Sequence, residues 1–274
     1  MAERVKVLGI QGSPHKDGMT AGLVHRALAG AQDEGAEVRL IDLVDEDLRP
    51  CRACNGSCFE TLRCVHDSAA TKRTARLQDA DGVIFGTPVY CWQINSLSSL
   101  FIDKMRWDSG SVLMPRNRRI AFGIASAGGS GTGCVLALQA LYRWFYNWAF
   151  RGITPLPVSR FSFVEALGLA EEGGRAMVKA IREGLPAFPS LAHAMAHYQS
   201  LPYMSWGPVE ELRMIITCIR RELARCDSAE AAEFLSRAEG AEDAASGAGV
   251  ESDLDSISSL YHLGVHAWEA LKRA

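Results

Sequence analysis

Four cysteines fall within fourteen residues of this 274-residue chain: Cys51, Cys54, Cys58 and Cys64. The spacing C-x2-C-x3-C-x5-C brings four thiolates close enough in sequence to wrap one [4Fe–4S] cluster, as compact ferredoxin motifs do. A cysteine-rich redox or structural loop is the alternative. A two-knuckle zinc ribbon needs a longer gap between its pairs and comes third. Secreted disulfide scaffolds are usually much shorter than this chain. Of the remaining cysteines, Cys134, Cys218 and Cys226 read as packed thiols on helices. Cys91 falls in a loop of its own interest. His193/His197 and His262/His266 each lie one helical turn apart, which permits metal binding, but their apolar helical context favours packing or surface roles.

Three further segments carry chemistry through the backbone. Residues 12–20 (GSPHKDGMT) join a strand-like run to a helical pattern. Such a loop turns backbone N–H groups and a helix dipole toward an anion. Ser13 and Thr20 add hydroxyls, and His15 and Lys16 add positive charge. The spacing is neither that of a nucleoside-triphosphate P-loop nor that of the dinucleotide fingerprint. Residues 87–95 (TPVYCWQIN) read as a stiff, extended loop whose Tyr90 and Trp92 either stack on a planar ligand or cap the core. Residues 126–133 (SAGGSGTG) are glycine-rich and let backbone approach a ligand closely. Arg116, Arg118 and Arg119 either attract a nucleotide phosphate or form a solvated basic surface, and the surface reading is preferred. No nucleophile-elbow motif with a Ser-His-Asp order is present.

The elements that must position these loops alternate. Strand patterns at residues 5–10, 37–43, 82–86, 119–125 and 152–158 are interleaved with helical patterns at 20–34, 68–80, 96–107, 135–150 and 166–183. This order implies a parallel sheet covered on both faces. Right-handed crossovers then place the loops after residues 10, 86 and 125 along one sheet edge, where open α/β sheets bind ligands. Beyond residue 185 the character changes. Pro186, Pro189, Pro202 and Pro208 punctuate an irregular stretch, followed by helical patterns at 209–225, 229–238 and 254–271, with 240–250 reading as a flexible linker. From residue 207 onward there are 13 acidic and 7 basic residues. The expected organisation is residues 1–185 as one α/β domain and 186–274 as an acidic helical extension for packing or oligomerisation.

Composition sets the outer bounds. The net charge is -3, with 48% hydrophobic and 22% charged residues. Near-balanced charge gives no support to a nucleic-acid partner. No apolar run reaches membrane-spanning length, and residues 1–4 lead directly into a strand-like run, so the expectation is a cytoplasmic protein with no membrane association.

Taken together, the loops resemble the NADPH-dependent FMN reductase family, in particular its iron–sulfur flavoproteins and their cluster-free relatives. The resemblance covers roughly residues 4–185. Gly12-Ser13-Pro14 through Gly18 and Thr20 resembles the family's G-S-P-R-x-x-G-N-T phosphate loop, with His15 in place of Arg and Met19 in place of Asn. Pro88-Val89-Tyr90 resembles the P-V-Y loop beside the flavin ring, with Cys91-Trp92 where W-G is usual. Phe101-Ile102-Asp103-Lys104 resembles F-I-D-R, and residues 126–131 resemble the third flavin loop.

The resemblance implies a flavodoxin-like, doubly wound, five-stranded parallel sheet with a helical C-terminal extension. It implies FMN held by Ser13, His15, Lys16, Gly18, Met19 and Thr20, by Pro88, Val89, Tyr90, Cys91 and Trp92, and by Ser126, Gly128, Gly129 and Gly131. A cluster on Cys51, Cys54, Cys58 and Cys64 follows too, with Gly56 placed to absorb one residue more than the family's usual spacing. NAD(P)H would be co-substrate, and the acceptor a quinone, a flavin, another small molecule or a protein. The flavin carries the chemistry, so no protein nucleophile is expected. A homodimer or homotetramer is implied, the cluster facing a neighbouring subunit's flavin. Two alternatives stand beside this reading: an iron–sulfur flavoprotein electron carrier without a small-molecule substrate, and a non-enzymatic flavin-binding protein whose tail helices bind a partner.

Overall fold

The computed structural model describes residues 4–54, 56–105, 117–244 and 250–273. Four parallel strands come first: β1 (Lys6–Gln11), β2 (Glu37–Asp42), β3 (Gly82–Tyr90) and, beyond the short β4 (Gln93–Ile94), β5 (Ile120–Ala127). The fifth position is shared by two short pieces, β6 (Arg151–Gly152) and β7 (Leu156–Ser159), both parallel to β5. The order β2-β1-β3-β5-β6/β7 is the flavodoxin-type 2-1-3-4-5 arrangement. The fifth strand is broken because Tyr142 reaches into it. Its hydroxyl donates to the carbonyl of Ile153 (2.6 Å) and accepts from the amide of Gly123 (3.1 Å), taking the place of ladder bonds.

Strand side chains alternate between two cores. Val7, Ile84, Ile120, Phe122 and Ile124 face α1 (Met19–Asp33) and α6 (Phe163–Arg182). Leu8, Ile10, Val83, Phe85 and Ala125 face α3 (Ser68–Gln78), α4 (Ser96–Lys104) and α5 (Cys134–Asn147). Both faces are therefore covered, as continuous apolar strands require. The helices α1 and α6 pack backbone to backbone: a Cβ on Gly174 would collide with the carbonyl of Ala27, and one on Gly30 with that of Glu171.

The C-terminal part comprises α7 (Leu191–Ser200), α8 (Pro208–Leu223), α9 (Ala229–Ala244) and α10 (Val250–Arg273). The α7 helix lies in the stretch expected to be irregular. Its Ala194 and Tyr198 join the core on the α5 face, and Tyr198 donates to the carbonyl of Phe150 (2.8 Å). The last three helices form a third core around Ile215, Ile219, Phe234 and Ala267, into which Phe161 projects from the end of β7. The expected linker is helical up to Ala244 and again from Val250, and residues 245–249 lie outside the described residues.

Candidate functional site

Three loops meet at the carboxyl edge of the sheet, tied together by specific bonds. Gly12 donates its amide to the carbonyl of Gly86 (2.8 Å), and Asn95 Nδ2 donates to the carbonyl of Gly12 (2.7 Å). Those bonds join the first loop to the second. Thr20 and Ser126, both buried, share a hydroxyl–hydroxyl bond of 2.7 Å that joins the first loop to the third. Gly133 closes the set. A Cβ there would stand 2.8 Å from Val89 Cγ1 and 2.9 Å from Trp92 Cα, and its φ of +93° is one that side chains rarely adopt.

Inside the first loop, Gln11 is fully buried and organises the turn, accepting from the amide of Ser13 and donating to the carbonyl of His15 (3.1 Å). His15 donates its amide to Ser13 Oγ (3.0 Å). Gly18 caps α1 in extended conformation, without a side-chain cap, and no acidic residue stands in the first turn. That helix start is left open to an anion. Lys16 leans the other way, onto Asp45 in the short 3-10 turn after β2, and this bond raises the Lys16 pKa above the ordinary lysine value.

The second segment, read from sequence as a loop, is a β-hairpin: β3 runs to Tyr90 and pairs back with β4. Cys91 and Trp92 form its two-residue turn with φ of +49° and +64°. Two-residue turns with positive φ normally take Asn-Gly or similar pairs, so bulky residues there hold strain. The result stands Tyr90 (47% exposed) and Trp92 (42% exposed) at the rim of the sheet edge. In the third loop Gly128 and Gly129 are exposed, and added Cβ atoms would meet nothing within 4 Å. The edge thus offers backbone, buried hydroxyls and two aromatic rings around open space.

The cysteine segment follows β2 and lies along the same edge. Cys51, Cys54, Cys58 and Cys64 line one cavity of about 140 Å³ with Phe59, His66 and Lys104. All four are free thiols. Gly56 takes φ of +72°, and its amide donates to the carbonyl of Cys54 (2.7 Å), ahead of the one-turn helix α2 (Cys58–Thr61). Among the described residues no three ligand-type side chains converge on a single point. A lone ion needs such convergence, whereas the ligands of a cluster each take a different iron and stand apart. By donor type alone, four free thiols are the ligands the irons of a cluster take. Lys104 is held in the cavity lining from behind: buried Asp67 accepts from Lys104 Nζ (2.8 Å) and from Arg73 Nη2 (3.0 Å). Burial pushes the Asp67 carboxyl up, but the Lys104 bond, the Ala70 amide and the two cations outweigh it and hold its pKa below the usual value.

Several expectations are corrected. Arg119 lies at the amino end of β5, roughly 20 Å of strand away from the loops. It donates to the carbonyls of Ala80 (2.7 Å) and Gln78, so it neither faces a nucleotide nor forms a free surface. Arg118 is exposed at the same end, and Arg116 and Trp107 lie outside the described residues. Cys134 is buried as expected, and burial together with the Glu211 carboxylate pushes its thiol pKa up. Cys226 is exposed instead of packed. His197 bonds the carbonyl of Gly152 (2.8 Å) and His193 bonds Ser190 (2.8 Å), both structural contacts.

Sequence reasoning missed three residues of this edge. Gln11 reads from sequence as the first residue of the loop, whereas it ends β1 and its side chain holds the turn. Asn95 carried an N-cap signal just before a helix, and its side chain does accept from the amide of Ser98 (3.2 Å). Glu211 carried no signal, because its partners lie more than seventy residues away.

A doubly wound sheet in flavodoxin order, with three glycine- and hydroxyl-bearing loops at its carboxyl edge, defines the flavodoxin-like class of α/β proteins. The model of the NADPH-dependent FMN reductase family matches residues 5–165, and the chain belongs to that family. An iron–sulfur flavoprotein of Methanocaldococcus jannaschii is 36% identical over 102 residues, which cover 37% of this chain and 52% of that protein. This match therefore spans about half of that relative's length. A second iron–sulfur flavoprotein of the same organism is 29% identical over 184 residues, covering 66% of this chain and 90% of the relative. The solved NAD(P)H:quinone oxidoreductase from Methanothermobacter marburgensis aligns with a TM-score of 0.49 at 15% identity, over 63% of this chain and 98% of that one. Among the described residues, no helix is long and apolar enough to cross a membrane.

Proposed function

We propose that the chain is an FMN-dependent oxidoreductase that takes electrons from reduced nicotinamide nucleotide and delivers them to a quinone, a flavin or another acceptor. The observation that carries this reading is the convergence of the three loops at the carboxyl edge in a member of the FMN reductase family. When bound, FMN supplies one- and two-electron chemistry. The protein's part is to bind and orient. The open start of α1, with Ser13, Gly18 and Thr20, receives the phosphate. His15 and Met19 replace the family's usual side chains there, so backbone N–H groups carry more of that contact. Pro88, Val89, Tyr90, Cys91 and Trp92 flank one side of the ring system, and Ser126, Gly128, Gly129 and Gly131 flank the other.

A second reading is favoured by one observation, the four thiols lining one cavity. On this reading Cys51, Cys54, Cys58 and Cys64 hold a [4Fe–4S] cluster, which supplies one-electron transfer. Lys104, at the cavity wall, offsets the negative charge of four thiolates. The chain would then act as an electron carrier between protein partners, assembled as a dimer or tetramer.

Anaerobic purification followed by a visible spectrum and flavin, iron and sulfide analysis tests both. Flavin with about four irons per chain supports the carrier reading. Flavin without iron, with NAD(P)H oxidation in the presence of a quinone, supports the reductase. A protein that takes up neither refutes both.

A further inference from the structure

The family match ends at residue 165, yet the third loop is held by residues well beyond it. Glu211, in the first turn of α8, is a carboxylate only 2% exposed. It accepts from the amides of Gly133 (2.9 Å) and Val135 (2.8 Å) and from the thiol of Cys134 (3.2 Å). Gly133 caps α5 in left-handed conformation and has no side chain to satisfy the helix start. Glu211 supplies that cap from a distance, and the helix dipole favours its charge. The approach to α8 is fixed as well, since Gln139 Nε2 donates to the carbonyls of Tyr203 and Trp206, both at 2.8 Å.

A second, independent contact comes from α10. The hydroxyl of Tyr261 donates to the carbonyl of Ser130 (2.7 Å), in the middle of the glycine loop. Two helical turns on, Trp268 packs edge-on against Phe161 (5.0 Å), and Glu269 pairs with Arg160 (2.8 Å). These contacts set the face and height at which Tyr261 arrives. A loop containing Gly128, Gly129, Gly131 and Gly133 has much conformational freedom to lose on binding. Anchors at Ser130 and Gly133 remove part of that freedom beforehand while Gly128 and Gly129 stay exposed.

We infer that Glu211 and Tyr261 are positioning residues of the flavin site, so that the C-terminal extension preorganises the third loop for FMN. The inference rests on the proposed placement of FMN against that loop. It is tested by titrating flavin-stripped full-length protein with FMN and, in parallel, following amide hydrogen exchange of residues 126–135 without flavin. Tyr261→Phe removes one hydroxyl, and it is expected to weaken FMN about fivefold with an unchanged melting temperature. Glu211→Gln is expected to weaken FMN about tenfold and to speed exchange at Gly133 and Val135. Glu230→Gln, on the exposed side of α9, serves as the control and changes neither readout. The bound flavin's visible circular dichroism should shift in Tyr261→Phe and Glu211→Gln, which a purely global stabilising role would not produce. If unmutated protein binds FMN and Tyr261→Phe and Glu211→Gln bind it equally well, the inference falls while the proposed function stands. If unmutated protein binds no FMN, both fall.

Discussion

Asp67 offers the sharpest test of the electrostatics beside the cysteine cavity. Its carboxylate is shared by two buried cations, Arg73 (0% exposed) and Lys104 (5% exposed), and also caps α3 through the amide of Ala70 (3.0 Å). Replacing it with Asn keeps the cap, since Asn is as good an N-cap as Asp. What is lost is the charge. Arg73 retains longer contacts to Glu46 (3.5 Å) and to the carbonyl of Asp47 (3.4 Å), and its Nε already has no acceptor among the described residues. Lys104 loses the partner described for it. Breaking a buried pair from one side costs about 3–5 kcal/mol, a large share of the roughly 5–15 kcal/mol that holds a domain together. Lys104→Met should cost far less, about 1 kcal/mol or under, because Asp67 keeps Arg73 and the amide while an apolar chain fills the space. Urea unfolding of the protein and both variants measures this directly. The pH dependence follows from the sign of the shift. The folded pKa of Asp67 lies below its unfolded value of about 3.9, so its contribution is complete above that value and disappears as pH falls through the folded pKa. Asp67→Asn should therefore flatten the acid limb of the stability curve. Equal losses for Asp67→Asn and Lys104→Met, or an unchanged acid limb, would refute the reasoning.

Three further outcomes are expected. Trp92→Gly should raise stability by about 1 kcal/mol through relief of the positive φ, while slowing NAD(P)H-dependent turnover by loss of the exposed ring. Thermal melts and steady-state rates separate the two effects, and faster turnover would contradict the placement of Trp92. Gly174→Ala should destabilise by several kcal/mol, about 3 or more, because the new methyl meets the carbonyl of Ala27 at the crossing of α1 and α6. A melting temperature within a degree of the parent would show that the two helices can part without cost. On the reading that the four thiols hold a cluster, Lys104→Met in iron-loaded protein should lower the midpoint potential, since removing a nearby positive charge favours the more oxidised state; a rise by potentiometric titration would exclude Lys104 from that cluster's surroundings.

What the sequence disclosed and what it hid divide along a physical line. The strands at β1, β3 and β5 were readable because a run buried on both faces must be apolar whatever its neighbours are, and the half-covered edge strand β2 because it alternates. The first and third loops were readable as breaks between strand and helix because glycine, proline and hydroxyl residues gather at the ends of β1 and β5. The hairpin at Cys91-Trp92 was not, since its turn lacks the residues that such turns normally use and is held by Gly133 across a third loop. Helix α7 was hidden by prolines that flank it without entering it. Arg119 was misplaced because a cation in a sequence does not disclose its acceptor. Here the acceptors are carbonyls at the end of α3, far from the loops.

Glu211 makes the same argument in its strongest form. Local patterns report the cost of burying a residue beside its chain neighbours, and by that measure a glutamate in the first turn of an amphipathic helix belongs in water. It is buried because the α5 start supplies two amides and a dipole that no pattern in α8 encodes. A charge this deeply buried survives only with its partners in place. The contact therefore constrains both sides: α8 must dock for the third loop to be capped, and the third loop must be formed for α8 to dock. If the extension and the sheet edge open together, as that contact requires, hydrogen exchange at Gly133 and Val135 should respond to substitutions in α8.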